Sequence, residues 1–322
     1  MKINKHQIWI GLVVCSILIL LIGCTSEGNE SSASDEDEAS SDKITVVTTL
    51  AQIGEPLSVI GEDRLEVISL MGPGVDPHLY KATQSDLNKL HDADLIVYNG
   101  LELEANMIDM FEGLKASKPV VALGDAIDQD ELLFDEGAAD PHIWFNLDLW
   151  QKGLDHAVSE LKKYDPQYAD QYEANKQAYF DELNQLKEWA QETMQQIPAS
   201  QRVLVTAHDA FGYFGEMFDM EVVGLQGLST EDEVGVSDIQ AIVDLIVSKN
   251  IPAVFVESSV NPDAINAVIE GARQAGVEVR LGGELFSDAM GEAGTPEGTY
   301  LGMYRHNVET IYTALMGEEA RH

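Results

Sequence analysis

Cysteine is nearly absent from this chain of 322 residues, in which it occurs only at Cys15 and Cys24. Cys15 lies within an apolar stretch near the beginning of the chain, so cleavage after that stretch would leave Cys24 as the single thiol. One thiol excludes intramolecular disulfides, redox pairs and metal sites built from several cysteines. Any bound metal must then be held by histidine, carboxylate or water.

Basic residues are also scarce, since 19 Lys and Arg stand against 56 Asp and Glu, for a formal net charge of −37. Such a surface repels nucleic acid, and no nucleic-acid partner is expected. A site for small anions is disfavoured by the same shortage and by the lack of a glycine-rich phosphate motif. The acidic surface is compatible with cation capture, but it is equally typical of a solvated surface adapted to salty surroundings.

The first 24 residues have the order of an export signal. Lys2 and Lys5 precede the uncharged apolar run of Ile8 to Ile22, and Gly23 stands before Cys24. The run is shorter than the roughly 20 apolar residues of a simple spanning helix, although an uncleaved membrane helix is the alternative. We predict a lipoprotein signal peptide at residues 1–23, with acylated Cys24 anchoring the protein in the lipid bilayer at the extracytoplasmic face of the cell membrane.

The segment after the predicted signal is poor in residues that build a core. Residues 27–42 contain no aromatic residue and no leucine, isoleucine or valine. Such a segment cannot bury enough apolar surface to order itself, so residues 24–42 are predicted to be an acidic, disordered tether.

Beyond the tether, short β-branched runs alternate with longer amphipathic ones, which is typical of parallel strands joined by helices. Pro166 to Ile197 contains no glycine and no internal proline, and predicts one long helix. We expect an α/β fold with two similar lobes, at residues 43–165 and 198–322, each with a roughly four-stranded parallel sheet and flanking helices. The helix at 166–197 would join them as a rigid strut. The predicted strands are ITVVTT, LEVISL, DLIVYN and PVVAL in the first lobe, and RVLVTA, EVVGL, PAVFVE and VEVRL in the second.

Three histidines and one aspartate lie where ligands collect in such sheets. The tripeptide Asp-Pro-His occurs twice, ending at His78 and His142, while His208 directly follows the RVLVTA run and Asp288 follows the last predicted strand. Ligands of open α/β sheets bind beyond the carboxyl ends of the strands. Two residues from each lobe could therefore enclose a divalent cation in the cleft. Four such ligands form a closed set, which leaves no fixed position for an activated water.

Spacing alone leaves simpler interpretations open for each of these residues. A histidine in a loop next to proline is most often a surface residue, and Ser-Asp near glycine most often marks a turn. The other four histidines are interpreted as surface or capping residues, and they are His91, His156, His306 and His322.

Four ordered motifs give the chain a resemblance to a known family. They are GVDPHLY from Gly74, DPHIWFN from Asp140, TAHDAFGYF from Thr206, and GGELFSDAMGEAGTPEGTYLGMYRHNV from Gly282. From about Ile44 to Leu315 the chain resembles the cluster nine, or A-I, solute-binding proteins, the metal-binding lipoproteins of bacterial ABC importers for manganese and zinc.

The resemblance implies a fold of two α/β lobes with a metal ion buried between them, and it places His78, His142, His208 and Asp288 at the family's ligand positions. It also implies a rigid interlobe helix and delivery of the ion to a membrane permease, with no catalysis by this chain. A monomer is expected.

Manganese is the predicted cargo and zinc the alternative. Many manganese-dedicated relatives carry glutamate where His208 stands, and imidazole-rich sites bind zinc more tightly. However, residues 124–139 lack the histidine-rich loop that is common in zinc-binding relatives. The SDAMG and GTYLGM motifs also look more like those of manganese-binding relatives.

A zinc hydrolase and a surface adhesin are the alternative functions. An anchored zinc hydrolase could use three histidines and a water, with Asp209 or Glu257 as general base, but Asp288 as a fourth ligand would close its site. A surface adhesin would fit an exposed lipoprotein, but the sequence shows no repeat array to support it.

Overall fold

The computed structural model describes residues 43–231 and 233–317. The predicted signal peptide, Cys24, the tether and His322 lie outside the described residues. Within those two ranges, no helix is both long and apolar enough to cross a membrane.

The first half is built on a parallel sheet whose strand order is β2-β1-β3-β4. β1 lies at its centre and pairs Val46 with both Val67 and Leu95. Helices cover the sheet, so its inner strands are buried on both faces, and β3 is an uninterrupted apolar run. The elements in chain order are β1 (Ile44–Thr48), α1 (Ala51–Gly61), β2 (Leu65–Ser69), α2 (Gln84–Asp92), β3 (Leu95–Tyr98), α3 (Ile108–Leu114), β4 (Val120–Ala122), the hairpin strands β5 (Phe134–Asp135) and β6 (Ala138–Ala139), and α4 (Leu147–Tyr164).

One long helix, α5 (Ala169–Met194), follows. It is shorter than the predicted 166–197, because residues 166–168 form a separate 3-10 turn and the chain leaves the helix ahead of Pro198. At about 1.5 Å per residue it is roughly 39 Å long. It packs against α1, against α4 and against the last described helix. These contacts suit a strut between two lobes, and that role and the lobe boundaries stay predictions.

The second half repeats the pattern with two parallel strand pairs, β7 with β8 and β9 with β10, and β7 lies beside β9. The predicted α/β class with parallel strands is therefore confirmed. The elements are β7 (Val203–His208), α6 (Gly212–Phe218), β8 (Glu221–Gln226), α7 (Val236–Lys249), β9 (Ala253–Glu257), α8 (Asp263–Gln274), β10 (Arg280–Leu285) and α9 (Tyr300–Met316).

The last strand begins later than the VEVRL run predicts, at Arg280 instead of Val277. Gly276, with φ of 86°, ends α8, and the N–H of Val277 donates to the carbonyl of Ala272 at 3.0 Å. That N–H is used by the helix end and cannot join a strand ladder. The strand instead runs through two glycines to Leu285, which brings its carboxyl end close to Asp288.

The hydrophobic core is continuous between the two halves. A single cluster of buried side chains includes the first sheet, α5, α9 and one face of the second half, and a smaller cluster fills the other face. In the shared cluster Phe145 stacks on Phe211 with ring centroids 4.4 Å apart, and Phe214 lies edge-on to Phe145. The two halves are thus packed as parts of one body.

Gly224 allows β8 to approach the end of β7. A Cβ at this position would stand 2.6 Å from the carbonyl carbon of His208 and closer still to the amide nitrogen of Asp209. Both neighbours are backbone atoms, so they cannot turn aside. We expect Gly224→Ala to destabilise the protein by about 2 kcal/mol, within the range for overpacked interiors. The measurement is chemical unfolding.

Gly227→Ala is the matched control, because a Cβ there meets no atom within 4 Å. It is expected to change the free energy of unfolding by less than about 0.5 kcal/mol. Equal stability of the two variants would contradict the close approach.

Candidate metal centre

The structure brings together the four side chains that the sequence predicts as ligands. One atom from each of His78, His142, His208 and Asp288 lies within 4.8 Å of the others. All four residues are buried, with exposed fractions of 5%, 0%, 0% and 1% in that order. The cluster lies between the halves, with two residues from each.

The distances suit a small cation. The carboxylate of Asp288 lies 3.2 Å from Nε2 of His208, 3.5 Å from Nε2 of His142 and 3.7 Å from Nε2 of His78. Four ligands at about 2.1 Å from a tetrahedral ion stand roughly 3.4 Å apart. These three Nε2 atoms and both oxygens of Asp288 lack hydrogen-bond partners among the described residues. Buried polar atoms are normally satisfied, so a cation is the natural partner of this set.

Both Asp-Pro-His tripeptides form the same local turn. The Oδ1 of Asp76 accepts a hydrogen bond from the N–H of His78, and the Oδ1 of Asp140 accepts one from the N–H of His142, each at 2.9 Å. The intervening proline has a fixed φ and no N–H, so it favours this turn. The turn aims each imidazole inwards.

Carboxylates also orient two of the imidazoles. Oδ1 of Asp140 lies 2.7 Å from Nδ1 of His142. Glu257, the last residue of β9, places Oε2 2.5 Å from Nδ1 of His208 and accepts the N–H of His208 at Oε1. A carboxylate at Nδ1 fixes the tautomer and leaves Nε2 free for an ion.

Burial and charge shift the pKa values of the centre in opposite directions. Burial lowers the pKa of His78 to about 4, in spite of Asp288 nearby. Burial would also lower the pKa of His208, but the carboxylates of Glu257 and Asp288 raise it well above the ordinary value. The three histidines outweigh burial at Asp288 and hold the pKa of its carboxyl below the usual range. These shifts favour a carboxylate at Asp288, a neutral His78 and a protonated His208.

Asp288 is positioned by the residue before it. The carbonyl of Ser287 accepts a hydrogen bond from Nε1 of Trp144 at 3.0 Å and a longer one from Gln52 at 3.4 Å. The indole of Trp144 also lies edge-on to the ring of His142, with centroids 5.2 Å apart. One side chain of the first half thus fixes ligands from both halves.

The remaining candidate residues lie apart from this cluster. His91 is exposed beside Asp92, His156 is half-buried on α4, and His306 contacts Phe286 and the carbonyl of Glu284. Asp209 is adjacent to His208 but does not belong to the group.

Sequence reasoning missed the residues that support the ligands. Asp140 stands in a repeated tripeptide and could have been found from it. The sequence indicates Glu257 only as a possible general base of a hydrolase, and it gives no signal for Trp144. Their roles at the ligands arise from neighbouring strands and from contact between the halves.

The comparisons with known proteins point to one family. The model of "ZnuA: Zinc-uptake complex component A periplasmic" matches residues 46–314. The manganese-binding lipoprotein MntA of Bacillus subtilis is 45% identical over 305 residues, which cover 94% of this chain and 98% of that protein. The zinc-binding protein TroA of Treponema pallidum is 43% identical over 281 residues, or 87% and 91% of the two chains.

Solved structures show the same fold. The structure of the periplasmic zinc-binding protein TroA from Treponema pallidum has a TM-score of 0.84 at 43% identity, and the match covers 85% of this chain and 99% of that one. The Fe(III)-bound YtgA of Chlamydia trachomatis has a TM-score of 0.77 at 29% identity, with coverage of 85% and 98%.

The hydrogen bond from Trp144 to Ser287 can be tested against a second tryptophan. Trp144 and Trp150 are both fully buried, but Nε1 of Trp150 has no partner among the described residues. Each Trp→Phe change removes a similar volume, and only Trp144→Phe breaks a hydrogen bond. We expect Trp144→Phe to cost about 1–2 kcal/mol more than Trp150→Phe in denaturant unfolding. Equal losses would show that the bond adds nothing to stability.

Proposed function

The chain belongs to the ZnuA family, and from that membership we propose that it is an extracytoplasmic solute-binding lipoprotein that captures one divalent transition-metal ion and delivers it to an ABC importer. The observation that carries the proposal is the buried group of three imidazoles and one carboxylate, whose inward-facing atoms lack partners among the described residues. The ligands proposed are His78, His142, His208 and Asp288.

The donor set supports a transition metal over calcium or magnesium. Imidazole nitrogen suits zinc and related ions, whereas calcium and magnesium prefer oxygen ligands throughout. Both oxygens of Asp288 face histidine nitrogens, Oδ1 towards His142 and Oδ2 towards His78 and His208. The carboxylate can therefore bind through one oxygen or two, which allows four or five ligand atoms.

Manganese is the proposed cargo, with zinc as the alternative. The relative that is 45% identical bears the name of a manganese-binding lipoprotein, and the one at 43% that of a zinc-binding protein. The acidic segment at 124–139, which lacks histidine, supports manganese. At equilibrium the Irving–Williams order favours zinc in the same ligands, so selection of manganese would depend on the metal available outside the cell.

We propose no catalysis for this chain. Asp288 completes the ligand set and leaves no fixed open position for water. Glu257 is unsuited to be a general base, because both of its oxygens contact His208, one at Nδ1 and the other at the backbone N–H. These contacts support a site that holds an ion and does not activate a nucleophile.

Anchoring and delivery complete the proposal. Cys24 would carry the acyl chains that hold the protein at the outer face of the membrane, and residues 24–42 would tether the body to it. The lipoprotein names of relatives such as MntA support this arrangement. The permease of the importer is the proposed protein partner, and the chain is proposed to act as a monomer.

Metal titration of the full chain, solubilised in detergent and stripped with chelator, tests the proposed site. We expect one manganese or one zinc per chain, with zinc displacing manganese in competition. His208→Ala and Asp288→Ala should each weaken binding by more than about 100-fold, because a ligand is lost from a closed set. Calorimetry would measure the number of ions bound per chain, and competition with a fluorescent chelator would measure the affinity.

His91→Ala is the control, since its side chain is 84% exposed and lies outside the cluster. The His91→Ala variant should bind manganese and zinc with the same affinity as the parent chain. Binding that survives in the Asp288→Ala variant would rule out the four-ligand centre. A chain that binds zinc but no manganese would leave zinc as the cargo.

The affinity should rise with pH. The raised pKa of His208 favours the protonated imidazole, and an arriving ion must displace that proton. His78, with a pKa lowered to about 4, is already neutral and adds little between pH 6 and 8. We expect about one proton released per ion, which is roughly a tenfold gain in affinity per pH unit below the pKa of His208.

Calorimetry in buffers of different ionisation enthalpy would count the released protons. The same affinity at pH 6 and pH 8 would exclude this account of His208.

A further inference from the structure

The centre is least enclosed at His78. This residue is 5% exposed and lines a cavity of about 170 Å³, which none of the other three ligands lines. The described hydrogen bonds of His78 hold its backbone, through Asp76 at the N–H and Asn106 at the carbonyl. An ion that reaches or leaves the centre through this cavity therefore passes His78.

The two walls of this cavity come from different halves. One wall contains Leu101 and Glu102, and the other contains Leu228, Ser229 and Glu231. We call residues 227–231 the rim segment. Glu102 and Glu231 make both walls acidic, which favours the passage of a cation.

The first wall is held firmly. Leu101 and Glu102 both have left-handed backbone conformations, with φ of 54° and 66°. Such a turn persists only where its surroundings determine it. The buried carboxylate of Glu104 does so, because it accepts the N–H groups of Asn99 at 2.9 Å and Gly100 at 3.1 Å.

A side-chain hydrogen bond ties the rim segment across the cleft. Oγ1 of Thr230 donates a hydrogen bond of 2.5 Å to Oδ2 of Asp76, a residue 154 positions away in the other half. The other oxygen of Asp76 holds the N–H of His78. Thr230 is only 8% exposed, whereas the neighbouring Gly227 and Glu231 are exposed. A single carboxylate thus joins the rim segment to the ligand at the open side of the centre.

We propose that the hydrogen bond between Thr230 and Asp76 is a latch that controls the exchange of the ion. While it is made, the rim segment covers His78 and keeps Asp76 in place. When it breaks, the rim segment moves away, the cavity opens, and the ion enters or leaves past His78. Thr230 is a positioning residue that acts through Asp76, and the inference rests on the proposed binding of a metal at this centre.

The test compares rates of exchange with the affinity at equilibrium. The full chain in detergent is loaded with zinc and mixed with a chromophoric chelator in a stopped-flow instrument, which gives the release rate. Competition with a fluorescent zinc dye gives the association rate. Thr230→Val keeps the shape of the side chain and removes the donor. Its release and association rates should both increase about tenfold, the factor equal to about 1.4 kcal/mol, while the affinity changes much less.

Two variants serve as controls. Thr230→Ser keeps the hydroxyl and should restore rates within about twofold of the parent. Thr193→Val makes the same change on α5, outside the cavity, where the hydroxyl donates to the carbonyl of Trp189, and it should leave both rates unchanged. A variant that merely loosened the fold would not be rescued by serine in this way.

Any of three other outcomes would overturn the proposed latch. Faster release with unchanged association would mean that Thr230 supports His78 without closing the path. Rates in Thr230→Val within twofold of the parent would mean that the bond has no part in exchange. A parent chain that binds no zinc or manganese would overturn the proposed function, and the latch with it, whereas the first two results leave the proposed function intact.

Discussion

The structure depends on a single buried carboxylate that faces three imidazoles. Asp288 is 1% exposed, and its two oxygens lie 3.2 to 3.7 Å from the Nε2 atoms of the three histidines. A charge so enclosed is costly unless it is matched, and here the carboxylates of Glu257 and Asp288 raise the pKa of His208, which favours the protonated imidazole facing Asp288. The pocket that favours a proton on His208 is also the place where we propose an ion.

The rest of the molecule keeps these groups at a fixed separation. The carbonyl of Ser287 is held by Trp144, and the hydroxyls of Tyr300 and Tyr304 on α9 donate to the carbonyls of Trp144 and Phe145. Tyrosine hydroxyls therefore tie the segment after His142 to the second half. Together with the aromatic stack of Phe145 on Phe211, they allow little relative movement of the halves. Opening is easier in a loop such as the rim segment than by rotation of a whole half.

Much of this arrangement could be predicted from the sequence, and the reasons are local. β-branched runs predict the buried strands, and the repeated Asp-Pro-His predicts two inward-facing histidines because the turn is made within three residues. The start of β10 was predicted wrongly, since the helix end at Gly276 uses the N–H of Val277. Glu257 and Thr230 could not be assigned their roles, because each acts on a residue far away in the chain. Glu257 reaches His208 only once β7 and β9 lie side by side, and Thr230 reaches Asp76 only once the halves meet.

The continuous core has a consequence for how such a protein can diversify. Because the aromatic cluster is shared by both halves, neither half is an interchangeable module. A chimera that joined halves from two relatives would need new packing contacts along the whole interface between them. The rim segment is free of this restriction, since none of residues 227–231 belongs to the shared cluster. Substitutions in that segment can therefore accumulate on a scaffold whose two halves have to change together.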